Sequence, residues 1–341
     1  MNLKTSIIVL AYKHERYVRE ALQSAVEQTR KADEIIIVDD ASPDSTAQVI
    51  QAFIDDNISS PLRLICNEEN LGVTGSFARA VAASSGDVIF CLAGDDVSAP
   101  RRIEECLGYL SSRPSTYAVI TNAYIIDDAS RIDGHLDNCA GLGKPIALNL
   151  AGIALGDHFL RGRSSCGAAA AYRAAVFREF PPLKAGLYAE DDPLAFRAML
   201  LGSCDFLPLS LVRWRKHANN LSHGTGARRG PEMALHYRKC EAMIDQMLAD
   251  ADEWASRNSQ CIDNGFRNAL ADLRFQKARW ALWSATHEKG LRLAQAGAAC
   301  RQLFAHAPSP FKFISHAWRP LVRMITPFAI QRFAADIRAG S

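Results

Sequence analysis

The stretch that decides the fold runs Glu34-Ile35-Ile36-Ile37-Val38-Asp39-Asp40-Ala41-Ser42. A run of β-branched residues that ends in turn-forming aspartate and serine is typical of a strand buried on both faces. Such a strand lies inside a parallel sheet that helices cover from both sides. The stretch therefore predicts a central strand with two carboxylates at the point where it meets its loop.

Apolar runs of the same kind lie on both sides of this strand along the chain, and helical patterns separate them. The apolar runs cover residues 6–10, 62–65, 88–91 and 117–120, and the helical patterns cover 17–28, 45–54, 76–84 and 101–110. Alternating strands and helices predict an α/β fold with a Rossmann-like, mostly parallel sheet. Ligands of such sheets bind beyond the carboxyl ends of the strands, so the chemistry is expected in those loops.

The rest of the chain has a different character. Residues 127–145 are rich in Gly, Asp and Asn, and Pro231 opens a mostly helical region with a loop at 256–264. We therefore divide the chain into 1–125, 126–228 and a C-terminal helical region, 229–341.

The charge balance, the cysteine spacing and the lack of long apolar segments exclude several classes of protein. The 39 basic and 37 acidic side chains nearly cancel, which argues against nucleic acid as a partner. The 9 cysteines form no C-x-x-C pair, and neither a signal peptide nor an 18-residue apolar span is found. These features predict a cytoplasmic protein without a zinc or disulfide framework.

Two aspartate pairs, Asp39-Asp40 and Asp95-Asp96, follow the second and fourth predicted strands. Carboxylates that converge on one edge of a sheet suit a hard divalent cation, which prefers oxygen ligands. The alternative is that each aspartate forms a turn or caps a helix. For a single aspartate the alternative is at least as good, but two equivalent pairs favour a cation site.

Together these segments resemble the family 2 glycosyltransferases, which are inverting enzymes of the GT-A fold. The resemblance covers about the first 110 residues and is carried by 6–12, 17–29, 34–46, Asn70-Leu71-Gly72 with Arg79, and Gly94-Asp95-Asp96. It implies a GT-A sheet, with 1–125 as the half that binds a nucleotide sugar and 126–228 as the half that carries the acceptor site and the catalytic base.

The resemblance also implies roles for individual residues on the donor side. Asp39 would bind the base of the nucleotide, Asp95 would lie near the ribose, and Asp96 would bind Mn²⁺ or Mg²⁺ at the diphosphate. Ala11, Tyr12 and Arg79 complete the predicted nucleotide site. The sequence departs from the family pattern at Lys13, which replaces an asparagine and either contacts phosphate or is solvated.

A second acidic cluster, Glu190-Asp191-Asp192-Pro193, begins a segment that matches the family's E-D-x-x-L-x-x-R pattern and ends at Arg197. An inverting transfer needs a carboxylate that accepts the proton of the attacking hydroxyl. By resemblance that base is Asp191, with Glu190 positioning groups beside it. The alternative is an acidic first helical turn that the helix dipole favours.

Residues 215–222 match an R-x-H-x-x-N-x-S pattern that many of these enzymes carry. The resemblance gives His217 a place in the metal shell or at the diphosphate, and lets Arg215 neutralise phosphate charge. Arg228 and Arg229 lie in a glycine-rich segment that either closes over the diphosphate or serves as a linker. Ser210 stands where processive synthases of this family carry glutamine before Arg-Trp, which favours transfer of a single sugar.

The leading hypothesis is therefore a metal-dependent inverting transferase that moves one sugar from a nucleotide donor to a hydroxyl acceptor. A sugar-1-phosphate nucleotidyltransferase is the second hypothesis, but the chain lacks the glycine-rich, basic opening loop of that class. The third is a non-catalytic sugar-nucleotide binder, which retention of all the carboxylates disfavours.

The basic end of the chain bears on the acceptor. Residues 309–341 carry five Lys or Arg and one acidic residue, mixed with aromatic and aliphatic side chains. This pattern fits a peripheral contact with the anionic inner face of a membrane, and it fits equally well a helix packed on the protein. A saccharide or lipid-linked saccharide acceptor, in the synthesis of a surface polysaccharide or glycolipid, is consistent with the first interpretation.

Overall fold

A computed structural model describes residues 3–137, 146–148, 167–218, 220, 231–287 and 293–306. Its strands are β1 Thr5–Ala11, β2 Glu34–Asp39, β3 Leu62–Cys66, β4 Val88–Ala93, β5 Val97–Ser98, β6 Thr116–Ile126, β7 Ile132–Leu136, β8 Ile146–Leu148, β9 Ala170–Arg173 and β10 Ser203–Arg215. Its α-helices are α1 Val18–Val26, α2 Thr46–Asp56, α3 Gly72–Ala82, α4 Arg102–Ser112, α5 Ala175–Arg178, α6 Asp191–Leu201, α7 Pro231–Arg257, α8 Asn264–His287 and α9 Leu293–His306.

The described strands form one mixed sheet in the order β3-β2-β1-β4-β9-β6-β10-β5. The first four are parallel neighbours, as the sequence predicts. The fifth predicted strand, now β6, points the same way, but β9 lies between β4 and β6 and is antiparallel to both. Strand β10 is parallel to β6. The α/β, mostly parallel arrangement is thus confirmed, and strands from residues 126–228 extend the same sheet.

The core follows from the period of two along each strand. Ile35 and Ile37 face a buried cluster with α1, α2 and α4, whereas Ile36 and Val38 face a second cluster with α3, α6, α7 and α8. Because both faces are covered, every side chain from Ile35 to Val38 is buried, each contributing about 1.5–3 kcal/mol. This double burial explains the uninterrupted apolar run.

The C-terminal helices pack on the face of the sheet that carries α6. Met247 of α7 and Leu273 of α8 belong to the same buried cluster as Phe196 of α6. The helix start at Pro231 and the break between Arg257 and Asn264 agree with the prediction. None of the helices in the described ranges is long and apolar enough to cross a membrane. The basic segment 309–341 lies outside the described residues.

Candidate active site

Asp39 stands at the carboxyl end of β2, paired in register with Ala11 of β1. Its side chain is buried, and one carboxylate oxygen, Oδ2, accepts a hydrogen bond from the backbone N–H of Ser42 at 3.1 Å. The other oxygen, Oδ1, is buried without a hydrogen-bond partner. A buried acceptor without a donor is costly, so this oxygen marks a place where a ligand N–H would bind.

The neighbouring aspartate, Asp40, has a different role. Its carboxylate accepts the backbone N–H groups of Leu71 and Gly72 at 2.8 and 2.9 Å, at the start of α3. Gly72 adopts a left-handed φ of 70°, which glycine tolerates best. Asp40 therefore satisfies orphan donors at a helix start, and the capping alternative is correct for Asp40 but insufficient for Asp39.

Arg79 projects from α3 and is held beside this turn. Its guanidinium donates to Asn67 Oδ1 at 2.7 Å, and Asn67 donates in turn to Asp40 Oδ1 at 2.7 Å. Asn67, which the sequence analysis did not single out, thus connects Asp40 to Arg79. The arginine itself is exposed at the mouth of the sheet, where its predicted contact with the nucleotide stays a prediction.

Asp95 lies in the loop after β4 and faces two imidazoles. Its Oδ2 is 2.9 Å from His217 Nε2, 3.2 Å from Asn220 Nδ2 and 3.7 Å from His14 Nε2. Burial raises the pKa of Asp95, but the hydrogen bond from His217 and the charges of both imidazoles outweigh it and hold the pKa below its usual value. Sequence analysis gave no role to His14, and Asn220 was visible only as one letter of the R-x-H-x-x-N-x-S pattern.

Asp96 is the carboxylate with the least compensation in this group. It is 2% exposed, and its Oδ1 accepts the backbone N–H of Arg215 at 2.8 Å. Burial, with the charge of Asp95 added, raises the pKa of Asp96 well above its usual value, and Arg215 only partly opposes this. A bound cation would supply the missing positive charge.

The donor set fits a hard cation that also uses substrate oxygens. Asp96 offers carboxylate oxygens, and His217 contacts the neighbouring residue, Asp95. The described residues contain no group of three or more side chains placed to bind a metal ion. Mg²⁺ usually binds through one or two carboxylates together with waters and phosphate oxygens. Because His217 Nε2 already contacts Asp95, a metal contact through that atom would replace this bond.

Arg215 is placed differently from its predicted role. Its guanidinium is buried and donates to the backbone oxygens of Asp95 and Asp127 at 2.8 Å each. It also donates to Glu20 Oε2 at 2.6 Å and to Ser130 Oγ at 3.0 Å. These bonds use four of its five N–H groups. The structure therefore shows Arg215 fixing the Asp95 loop, and it leaves little capacity for the predicted diphosphate contact.

The second acidic cluster starts helix α6. Asp191 is its first residue, and its Oδ1 accepts the backbone N–H of Asp192 at 2.9 Å. Burial, followed by the charges of Asp192 and Glu190, raises the pKa of Asp191 well above its usual value. Burial, with the charges of Glu190 and Asp191 added, raises the pKa of the Cys91 thiol in β4 well above its usual value.

Gly167 explains how closely the chain approaches this cluster. A methyl group at its Cα would lie 2.5 Å from Glu190 Oε1 and 3.4 Å from Asp191 Cβ. Only a glycine fits against the carboxylate without moving it. A glycine at position 167 is therefore a packing requirement of the acidic cluster.

The remaining predicted residues lie at the mouth of β1 or outside the described ranges. Ala11 is buried and Tyr12 half-buried, with the exposed Lys13 ammonium 5.0 Å from the centre of the Tyr12 ring. Lys13 has a φ of 60° and donates its backbone N–H to Ser42 Oγ at 3.0 Å. Arg228 and Arg229 lie outside the described residues.

Comparison with known proteins agrees with this geometry. The family model "Glycosyl transferase family 2" matches residues 6–179, just over half of the chain. EpsE of Bacillus subtilis is 31% identical over 125 residues, a match that spans 37% of this chain and 45% of EpsE. Less than half of that relative is therefore matched.

Two solved structures share the fold at low sequence identity. Staphylococcus aureus TarS 1-349, in complex with UDP-GlcNAc, has a TM-score of 0.59 at 13% identity, covering 93% of this chain and 92% of that one. Mannosyltransferase PcManGT from Pyrobaculum calidifontis, in complex with GDP-Man and Mn²⁺, has a TM-score of 0.52 at 15% identity, covering 97% and 83%. At these identities the similarity establishes the GT-A fold.

Proposed function

Because the chain belongs to glycosyl transferase family 2, we propose that it moves a single sugar from a nucleotide-sugar donor to a hydroxyl acceptor, with inversion and with a divalent cation. The observation that carries the donor half of this proposal is the buried, unpartnered Oδ1 of Asp39 at the carboxyl end of β2. The catalytic half rests on Asp191, the first residue of α6, whose Cβ lies close to Gly167.

The geometry of Asp39 supports a particular set of nucleobases. An acceptor oxygen pairs with an N–H donor, which uracil and thymine carry at N3 and guanine carries at N1. Adenine and cytosine have a lone pair at the equivalent ring position and would face the carboxylate unfavourably. UDP, dTDP and GDP sugars are therefore the proposed donors, and the donors named with TarS and PcManGT fall within this set.

Asp96 would hold Mn²⁺ or Mg²⁺, with His217 as its proposed second protein contact. When bound, the cation neutralises the negative charge that develops on the departing diphosphate. Asp95 keeps the loop in position through His217 and Asn220, and Arg215 anchors the backbone of the same loop. These contacts leave Asp96 as the carboxylate that most needs an opposite charge.

Asp191 would act as the base. It takes the proton from the acceptor hydroxyl while the oxygen forms a bond to the anomeric carbon, on the face opposite the nucleotide. The bond from that carbon to the diphosphate breaks, and its electron pair leaves with the phosphate oxygen. Burial and two neighbouring carboxylates raise the pKa of Asp191, which increases its affinity for the proton.

We place this reaction in the synthesis of a surface polysaccharide or glycolipid, at the cytoplasmic side of a membrane. The support is the composition of residues 309–341, with five basic residues and one acid among aromatic side chains. Binding of the full chain and of a chain ended at Pro308 to anionic vesicles tests this contact. Equal binding of both chains would reject it.

The direct test of the proposed function is release of nucleoside diphosphate from a panel of UDP-, dTDP- and GDP-sugars, with and without Mn²⁺. We expect one donor to be hydrolysed slowly in a metal-dependent way. Asp39→Ala should weaken nucleotide binding. Asp96→Ala should remove only the dependence of nucleotide binding on the metal ion. Absence of nucleotide binding and of metal-dependent release across the whole panel would reject the proposal.

A further inference from the structure

A strip of aromatic and cationic side chains leads away from the catalytic loop along the C-terminal helices. We define it by Tyr188, His236, Tyr237, Lys239, Arg279 and Trp280. Tyr188 stands three residues before Asp191 and connects the strip to the site. The distances between ring centres are 6.2 Å from Tyr188 to His236, 5.8 Å from His236 to Tyr237 and 5.2 Å from Tyr237 to Trp280. The strip is thus continuous and longer than one sugar ring.

The side chains of the strip combine ring faces with positive charge. Tyr188, His236 and Trp280 are half-buried, and Tyr237 is buried and stacked on Trp280. Lys239 is exposed, and its ammonium lies 5.3 Å from the centre of the Tyr188 ring. Aromatic rings present flat apolar faces, and cations above them add an electrostatic attraction. A surface of this kind suits a ligand that has both a ring and a negative group.

Arg279 ends the strip and is unusual among the buried arginines of this chain. It is 6% exposed, its Nε is buried without a partner, and its guanidinium lies 4.2 Å from the centre of the Trp280 ring. Arg197 and Arg215 are also buried, but both have a carboxylate within 2.7 Å. Arg102 is buried too and its Nε also has no partner, but its guanidinium donates to the backbone oxygens of Cys91 and Ala170 at 2.8 and 3.0 Å. Within the described ranges no carboxylate pairs with Arg279.

The surroundings of Arg279 offer its charge the face of the Trp280 ring, but they offer no anion among the described residues. Burial lowers the pKa of Arg279 to about 10, and the groups that oppose this are only Cys240 and Tyr237. Both are ordinarily uncharged at neutral pH. On the same two helices, the Asp245 carboxylate pairs with Lys277 at 2.7 Å. A buried cation without an anion is unfavourable for folding, so its presence calls for a function.

We propose that this strip is an acceptor subsite, and that the acceptor is a saccharide carrying an oxyanion that pairs with Arg279. The oxyanion is a phosphate ester or a carboxylate, and a sugar ring of the same acceptor packs on the accessible parts of the half-buried Tyr188 and Trp280 rings. This inference rests on the proposed function, because the strip is useful only if a hydroxyl of the acceptor reaches Asp191. It adds the chemical class of the acceptor.

The test measures binding of three probes with one sugar ring in common: glucose, glucose 6-phosphate and glucuronate. Each is titrated into the full chain whose donor site is already saturated with the nucleoside diphosphate that binds best. The variants are Arg279→Met and, as a matched control, Arg274→Met, since Arg274 is an exposed residue of the same helix outside the strip. Melting temperatures of the free proteins are recorded in parallel.

We expect at least one anionic probe to bind more than tenfold more tightly than glucose, and Arg279→Met to abolish that difference while Arg274→Met keeps it. The phosphate and carboxylate arms show which oxyanion is preferred. Free Arg279→Met should melt at the same temperature as the wild type or higher, because a buried unpaired charge is removed. If Arg279 only stabilised the fold, Arg279→Met would instead melt at a lower temperature than the wild type.

Three outcomes would overturn the inference: equal binding of all three probes, equal loss in both variants, or a lower melting temperature for Arg279→Met. The nucleotide affinity measured in the same samples separates this failure from failure of the proposed function. If the wild type binds nucleotide but does not discriminate the anionic probes, only the acceptor subsite is wrong. If it binds no nucleotide, the proposed function itself fails.

Discussion

The helix that carries Asp191 is fastened to the C-terminal region by a buried ion pair, and breaking this pair is a demanding test of the fold. Arg197 Nε and one terminal nitrogen donate to the two carboxylate oxygens of Asp250 in α7, at 2.7 and 2.8 Å. Both side chains are at most 2% exposed. Gln246 also donates to Asp250, at 2.9 Å. The pair therefore joins α6 to α7 in the buried interior.

Asp250→Asn keeps the shape of the side chain but leaves the Arg197 cation uncompensated. Breaking one partner of such a pair costs about 3–5 kcal/mol, because a charge remains buried and unpaired. For a chain of 341 residues that loss should lower the melting temperature by roughly 4–7 °C. Circular dichroism during thermal and urea denaturation measures both quantities.

Asp245→Asn is the matched control, because Asp245 lies on the same helix and pairs with Lys277 at 2.7 Å while about 40% exposed. An exposed pair contributes less than about 1 kcal/mol. The double variant Arg197→Met/Asp250→Leu, which removes both charges, should recover most of the stability. The reasoning would be refuted if Asp250→Asn and Asp245→Asn had equal effects, or if the double variant were as unstable as Asp250→Asn.

Three further predictions concern the site. Asp191→Asn should lower kcat about 10²–10⁴-fold with little change in donor affinity, and a variant with the kcat of the wild type would contradict the role of Asp191 as the base. Because the base must be deprotonated and burial raises its pKa, kcat/KM of the wild type should begin to fall on acidification at a pH above the usual carboxylate range. Gly167→Ala should displace the Glu190 carboxylate and lower kcat, whereas Gly108→Ala, with open space around it, should not; steady-state kinetics compares them. Asp40→Ala should destabilise the protein by about 1 kcal/mol and weaken nucleotide binding, measured by denaturation and calorimetry; unchanged values would remove its capping role.

Much of the first half of the fold could be read from the sequence. The five predicted strands and the four helical segments of residues 1–125 all exist, with ends shifted by a few residues. The helix predicted at 76–84 begins earlier, at Gly72, because Asp40 supplies the hydrogen bonds for its first turn. That partner is distant in sequence, so no local pattern could reveal it.

The site was only partly predictable for the same reason. The resemblance to family 2 glycosyltransferases implied roles for Asp39, Asp95, Asp96 and Asp191, because the motifs that carry it are short and can be recognised in the sequence. The different roles of Asp39 and Asp40 became visible only in the structure, where Asp40 accepts hydrogen bonds from the first turn of α3. The structural role of Arg215 required Glu20, which lies 195 residues away along the chain.

Hydrophobic periodicity is a local property, and it was sufficient to indicate which segments are strands, which faces are buried and at which edge of the sheet the acidic loops gather. Hydrogen-bond and charge partners are set by packing between distant segments, where burial decides whether a charge must be paired. Only the tertiary structure therefore distinguished Arg197, which pairs with Asp250, from Arg279, whose Nε has no partner among the described residues, although both are arginines within helices. The sequence identified the family and the donor-side carboxylates, and the packing of α6, α7 and α8 revealed the surface on which an acceptor can be sought.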